Sequence, residues 1–147
     1  MRILFGVNGE GMGHAIRSKA IIEELKDRHK IKVLAGGRAH KFLSSFFDTE
    51  KITHLKIIYK DNKVSYMRTI FYNIFTLLYS GIYNLKILTI AKRFKPDIII
   101  TDFEPFSCYY ALLTGKKCIC IDNQHIINAK LDKKNYFERL IVRAMIP

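Results

Sequence analysis

Apolar runs and polar breaks alternate along this chain with the rhythm of an α/β protein. Ile3-Leu4-Phe5 stands almost at the N-terminus, and Arg2–Val7 reads as a first strand. A glycine-rich break follows. Apolar positions then recur at helical spacing, so His14–Arg28 reads as a helix with Ile21, Ile22 and Leu25 on its inner side. Ile31–Ala35 predicts a second strand closed by Gly36-Gly37, and His40–Phe47 a short helix. Ile52–Tyr59 reads as a third, weaker strand, and Ser65–Phe94 as a helix in two pieces broken at Gly81. Ile98-Ile99-Ile100 is continuous and β-branched, so Asp97–Thr101 predicts a strand buried on both faces. Lys95-Pro96 separates it from the helix before it. Pro105 suits a first helical turn and Gly115 a C-terminal cap, which predicts a helix over Pro105–Thr114. Lys117–Ile121 is a fifth strand and Tyr136–Met145 a final helix.

Strands alternating with helices predict a Rossmann-like α/β fold, a parallel sheet flanked by helices. Right-handed crossovers put every strand C-terminus on one edge, where such sheets bind ligands. The loops after strands one, two, four and five carry Gly9–His14, Gly36–His40, Asp102–Phe106 and Asp122–His125. All of these polar clusters are therefore expected along one rim.

Composition narrows the partners. The chain has 147 residues, is 49% apolar, and carries 25 Lys and Arg against 13 Asp and Glu, for a net charge of +12. It is long enough for one domain with a real core. The charge favours anionic partners such as phosphorylated small molecules or acidic phospholipid. Nucleic acid is disfavoured, because the basic residues are scattered and form no dense arm. Cys108, Cys118 and Cys120 are too few for a disulfide framework and read as core thiols in a reducing compartment. On a strand, Cys118 and Cys120 point the same way, but a metal site needs further ligands, and none is assigned. No signal peptide is evident, which suits a cytoplasmic protein. The uncharged run Thr69–Leu85 is near the lower limit for spanning a bilayer. Its Asn, Thr, Ser and Tyr residues favour a buried or membrane-skimming helix.

The candidate chemistry gathers on the expected rim. Gly9, Gly11 and Gly13 let backbone N–H groups approach an anion, and the following helix start adds partial positive charge. A phosphate or diphosphate site is one reading; a tight βα turn that binds nothing is the other. A dinucleotide fingerprint is disfavoured because the third glycine position falls on His14 or Ile16, and Gly36-Gly37-Arg38 stands where a ribose-binding acid belongs. Arg38 keeps an NADP-binding oxidoreductase domain open as an alternative. His14 is a candidate general base, since an imidazole titrates near neutrality. Glu10, Asp102 and Glu104 are candidate carboxylates to orient it. Asp102 or Glu104 would equally serve as a helix cap ahead of Pro105. Asp122-Asn123-Gln124-His125 suggests ligand hydrogen bonding, with turn chemistry as the simpler reading.

The opening GVNGEGMGHAIRS resembles the first loop of glycosyltransferases with the GT-B fold. It is most similar to the group related to the bacterial lipid-linked N-acetylglucosaminyltransferase of peptidoglycan synthesis (glycosyltransferase family 28-like). The run ITDFEPFSCYYALLTGKKCICIDNQH resembles a late segment of that group's N-terminal domain. The resemblance implies an acceptor-binding half whose donor half, holding the nucleotide-sugar, lies in cis or in a separate subunit. No cofactor and no metal are implied. It implies His14 and Asp102 as catalytic residues. Gly9, Gly11, Gly13 and Arg17 would then hold an acceptor phosphate, with Glu104, Gln124 and His125 lining the same cleft. The acceptor implied is a sugar or a lipid-linked sugar at the inner face of a membrane. A non-catalytic membrane-docking subunit of a split enzyme is a further alternative. On this reading the domain is a single one over residues 1–147, incomplete at its C-terminus, and inactive alone.

Overall fold

A computed structural model of the protein describes residues 1–121 apart from 55, 57, 61, 62 and 80. The expected helix over Tyr136–Met145 and the cluster Asp122–His125 lie outside the described residues. Seven strands and five helices are described. They run β1 (Arg2–Val7), α1 (Met12–Leu25), β2 (Lys30–Ala35), α2 (Gly37–Leu43), β3 (Thr49–Lys51), β4 (Tyr59–Lys60), β5 (Lys63–Val64), α3 (Tyr66–Tyr79), α4 (Gly81–Phe94), β6 (Ile98–Asp102), α5 (Pro105–Thr114) and β7 (Cys118–Cys120). A five-stranded parallel sheet has the order β3-β2-β1-β6-β7, and β4 pairs antiparallel with β5 in a separate ribbon. The expected parallel Rossmann-like sheet is present.

Alternation along β1 divides the core into two layers. Ile3, Phe5 and Val7 pack with Ala15 and Ile22 of α1 and with Ala39 and Leu43 of α2. Ile21 and Leu25 lie against the same cluster, as the helical spacing requires. Leu4 faces the other way and joins Leu34, Ile99, Ile87 and Ala91 of α4, and Tyr110 and Ala111 of α5. Both sheet faces are thus covered, which explains the unbroken apolar runs of β1 and β6. Gly115 ends α5 in the left-handed conformation with φ 64°, the expected cap.

Two expectations shift. The third sheet strand is Thr49–Lys51, earlier than Ile52–Tyr59, and Tyr59 belongs to the β4–β5 ribbon. The short helix starts at Gly37 and ends at Leu43. The break expected at Gly81 adjoins residue 80, which lies outside the described residues, and α3 is not a core helix. Met67, Phe71, Ile74 and Phe75 are exposed, while Asn73 and Thr69 bond the segment at 56–58. Those four apolar residues recur at one helical face. Among the described residues no helix is long and apolar enough to cross a membrane.

Candidate functional site

The strand order reverses direction between β1 and β6, and the C-terminal ends of these two strands meet there. Val7 pairs with Asp102, and the Asn8 N–H donates to the Asp102 carbonyl at 3.0 Å. Such a switch point is where open α/β sheets place ligands. The helix that leaves β1 carries His14, Arg17 and Ser18 at i, i+3 and i+4, so all three share one face. That face meets Asp102, which is wholly buried.

Asp102 gathers every donor on it. His14 Nδ1 lies 2.8 Å from Oδ1. Arg17 Nε donates to Oδ2 at 3.1 Å, its Nη2 donates to Oδ1, and Ser18 Oγ donates to Oδ2 at 3.1 Å. Burial pushes the carboxyl upward, but the bonds from His14 and Arg17 outweigh it and hold Asp102 below the usual carboxylate range. An ionised carboxylate only accepts, so the contact with His14 requires a proton on Nδ1. Nε2 then carries the lone pair on the far side of the ring. Arg17 Nη2, 3.3 Å from Nδ1, is a second donor aimed at the same oxygen, not a partner of the imidazole.

Phe103 completes the setting and was not legible in the sequence. It adopts φ 55°, a left-handed conformation that costs a bulky residue about 1–3 kcal/mol. Its ring stacks on His14 at 6.0 Å and 18°. Of the two readings the sequence leaves open for Glu104, cleft lining and helix capping, the structure shows the cap. Glu104 is buried, and its carboxylate accepts from the Phe106 and Ser107 N–H groups at 2.8 and 2.7 Å. Burial raises its carboxyl above the usual range, opposed by those same bonds. Glu104 caps α5; it does not line the cleft.

The glycines divide in the same way. A Cβ on Gly9 would lie 2.5 Å from His54 Cγ and 2.8 Å from the Gly36 backbone, so Gly9 makes room for protein. A Cβ on Gly11 or Gly13 would meet nothing within 4 Å. Gly11 has φ 78°, and the α1 start that follows has no side-chain cap. No side chain therefore satisfies the first-turn N–H groups of α1. Beside them lies a basin of about 500 Å³ lined by Gly9, Gly11, Arg38, Lys41, His54 and Lys56, among others. Burial first, and then Lys56, holds the His54 ring below its ordinary range.

The site thus brings together His14, Arg17 and Asp102, with Gly11 and Gly13 beside them. Sequence reasoning missed Ser18, whose i+4 spacing from His14 was the available signal. It also missed His54 and Lys41, which lie far along the chain from the glycine loop. Gln124 and His125 lie outside the described residues.

The model of the glycosyl transferase family 1 domain matches residues 1–147. The chain belongs to glycosyl transferase family 1. Among solved structures, this family 1 chain is similar to MurG of Acinetobacter baumannii, with a TM-score of 0.52 and 15% identity over 82% of this chain and 34% of that one. It is also similar to the glycosyltransferase VinC, solved in complex with dTDP, with a TM-score of 0.59 and 16% identity over 95% of this chain and 42% of that one. It spans less than half the length of either. No curated protein matches. Family, sheet order and neighbours agree on the N-terminal Rossmann-like half of a GT-B fold.

Proposed function

We propose that this domain binds the acceptor of a sugar-transfer reaction and supplies its general base. The observation that carries the reading is the His14–Asp102 pair at the switch point, beside an uncapped, glycine-rich helix start. The acceptor hydroxyl gives its proton to His14 Nε2 as its oxygen attacks the anomeric carbon. The bond to the nucleotide diphosphate breaks, and that group leaves with the electron pair. Asp102 fixes the ring through Nδ1 and stabilises the imidazolium formed. Arg17 and Ser18 hold Asp102. The N–H groups near Gly11 and Gly13, with Arg38, Lys41 and Lys56, suit an acceptor phosphate or diphosphate. The nucleotide-sugar donor belongs to a second half, in cis or as a separate subunit, and no metal or cofactor enters the scheme.

The test is steady-state kinetics of the complete enzyme with His14→Ala. Its kcat is expected to fall about 10²–10⁴-fold, the usual cost of losing a general base. Unchanged kcat in a folded variant refutes the assignment. The 147-residue chain alone is expected to transfer no sugar, because only one wall of the cleft holds the reacting groups.

One observation extends the reading to a membrane-borne acceptor. The exposed face Met67, Phe71, Ile74 and Phe75 of α3 has exposed Arg68 next to Met67 on the same helix. Such a face suits shallow insertion at an anionic inner leaflet, with about 1 kcal/mol per cation near the surface. Co-sedimentation with phosphatidylglycerol vesicles at low salt, lost at high salt and in Phe71→Ser/Phe75→Ser, is expected. No binding at low salt removes the membrane from the proposal.

A further inference from the structure

The α5 crossover carries a second cluster, away from the imidazole–carboxylate pair. β7 pairs in parallel with β6, matching Ile99 to Cys118 and Thr101 to Cys120. The two-residue spacing puts both β7 thiols on one face of the sheet. The α5 helix covers that face and brings Cys108 to them. The three Sγ atoms all lie within 4.8 Å of one another. Cys118 packs against the Leu4 layer of the core, as the sequence suggests, whereas Cys120 is exposed. A cavity of about 230 Å³ opens beside them, lined also by Ala111, Leu112 and Lys116.

Three thiols that converge this closely on an open cavity do not follow from packing alone. Sulfurs bound at about 2.3 Å to one tetrahedral ion sit about 3.8 Å apart, so a closure of about 1 Å completes the set. The cavity mouth leaves room for a water as fourth ligand. Lys116 offsets part of the negative charge that three thiolates bring.

We propose that Cys108, Cys118 and Cys120 form a trithiolate site for Zn(II), with a water in the fourth position. Thiolate ligands favour thiophilic ions over Mg²⁺ or Ca²⁺. Each thiol gives up one proton to the solvent as its Zn–S bond forms, so one ion displaces three protons. Hydrogen bonding links Cys118 to Cys108 and to Cys120. Bound zinc would clip α5 to the edge strand β7. The N-terminus of that helix follows the Asp102–Phe103 turn, so the clip would steady the loop that carries Asp102.

The test uses the full 147-residue chain, reduced and freed of metal. Co(II), a spectroscopic stand-in for zinc, is titrated in. One ion per chain with sulfur-to-cobalt charge-transfer absorption, displaced by one Zn(II), is expected. Calorimetry in buffers of different ionisation enthalpy reads the proton release, expected near three per ion at a pH below the thiol range. Cys108→Ser and Cys120→Ser are each expected to weaken Zn(II) binding more than about 100-fold, beyond the cost of losing an outer-shell partner. Cys120 is exposed, so its variant keeps the fold, which circular dichroism checks. No charge-transfer band from the reduced chain overturns the proposal. So does a Cys108→Ser variant that binds as tightly as the parent, since the β7 pair would then be acting without α5.

Discussion

Replacing Asp102 by Asn tests the centre of the site with almost no change in shape. The side chain is wholly buried and accepts from His14, Arg17 and Ser18. Asn keeps one acceptor oxygen and turns an NH₂ group toward donors that need an acceptor. Ser18 can rotate its hydroxyl and accept from that group. His14 and Arg17 cannot both be satisfied. Breaking a fully buried ion pair costs about 3–5 kcal/mol. The Arg17 side chain is 39% exposed, so it can turn its charge to water, and the expected loss is smaller. We expect about 2 kcal/mol at neutral pH, the value of one hydrogen bond to a charged group.

The pH dependence carries a sign. The folded-state Asp102 carboxyl lies below its ordinary value. Its contribution is therefore fully present above the unfolded pKa of about 3.9 and is lost as pH falls through the folded value. The gap between parent and Asp102→Asn should hold from neutral pH to about 5 and close below about 4. Urea unfolding of both proteins at several pH values measures it. In the complete enzyme the same change should lower kcat by about 10²–10⁴-fold, since His14 loses the acceptor that sets its proton on Nδ1. A variant with the parent's unfolding midpoint at neutral pH and unchanged kcat refutes the reasoning.

Three further outcomes follow from the same geometry. Ser18→Ala removes a single neutral donor and should cost about 1 kcal/mol in urea unfolding while kcat falls less than about tenfold; a larger kcat loss would make Ser18 part of the chemistry. Gly13→Ala has open space around its Cβ and replaces a helical glycine, so unfolding should show about 0.5–1 kcal/mol of added stability while KM for a phosphorylated acceptor rises; an unchanged KM speaks against the cradle. Glu104 is a buried carboxyl raised above its ordinary range, so its contribution is full at low pH and fades as pH rises through the folded value. Glu104→Gln should therefore compare best with the parent at neutral pH and worst at pH below about 4, measured by urea unfolding.

Much of this was legible because it rests on local periodicity. The βα unit of β1 and α1 follows from an apolar run, a glycine break and a helical repeat. The strength of the Ile98–Ile100 run fixes where Asp102 must emerge, whereas Ser18, one turn after His14, went unread. The third strand was harder to read. The sequence places it on the apolar residues after Ile52, yet β2 pairs with Thr49, Glu50 and Lys51. Lys32 bonds Asp48 at 2.8 Å and Glu50 at 3.3 Å across this edge. An edge strand can be held by charge as well as by apolar alternation, and charged edges also resist pairing with other chains. The α3 helix shows the converse. Its apolar stripe was visible in the sequence, but periodicity gives a face without saying what meets it. The bonds that tie Asn73 to the Lys56 backbone and Thr69 to the Ile58 backbone decide that the polar side turns inward.

The glycine loop shows why a motif read from residues alone overstates its ligand. Each glycine looks equally suited to an approaching phosphate. Gly6 is needed because a Cβ there would lie 2.2 Å from Ser107 Oγ and 2.8 Å from Glu104 Oε2, so it lets the start of α5 close onto β1. Gly9 yields to His54 and Gly36. Gly11 answers to its backbone conformation, and Gly13 to open space. Of the four, Gly11 and Gly13 leave room that a ligand could fill at the uncapped start of α1, and Gly11 also lines the basin that holds Arg38, Lys41, Lys56 and Glu10. The room left by Gly6 lets the start of α5 close onto β1 just after Asp102, and the room left by Gly9 seats His54 against the loop ahead of α1. A substitution at Gly6 or Gly9 should therefore disturb fold and activity together, whereas one at Gly13 should separate them.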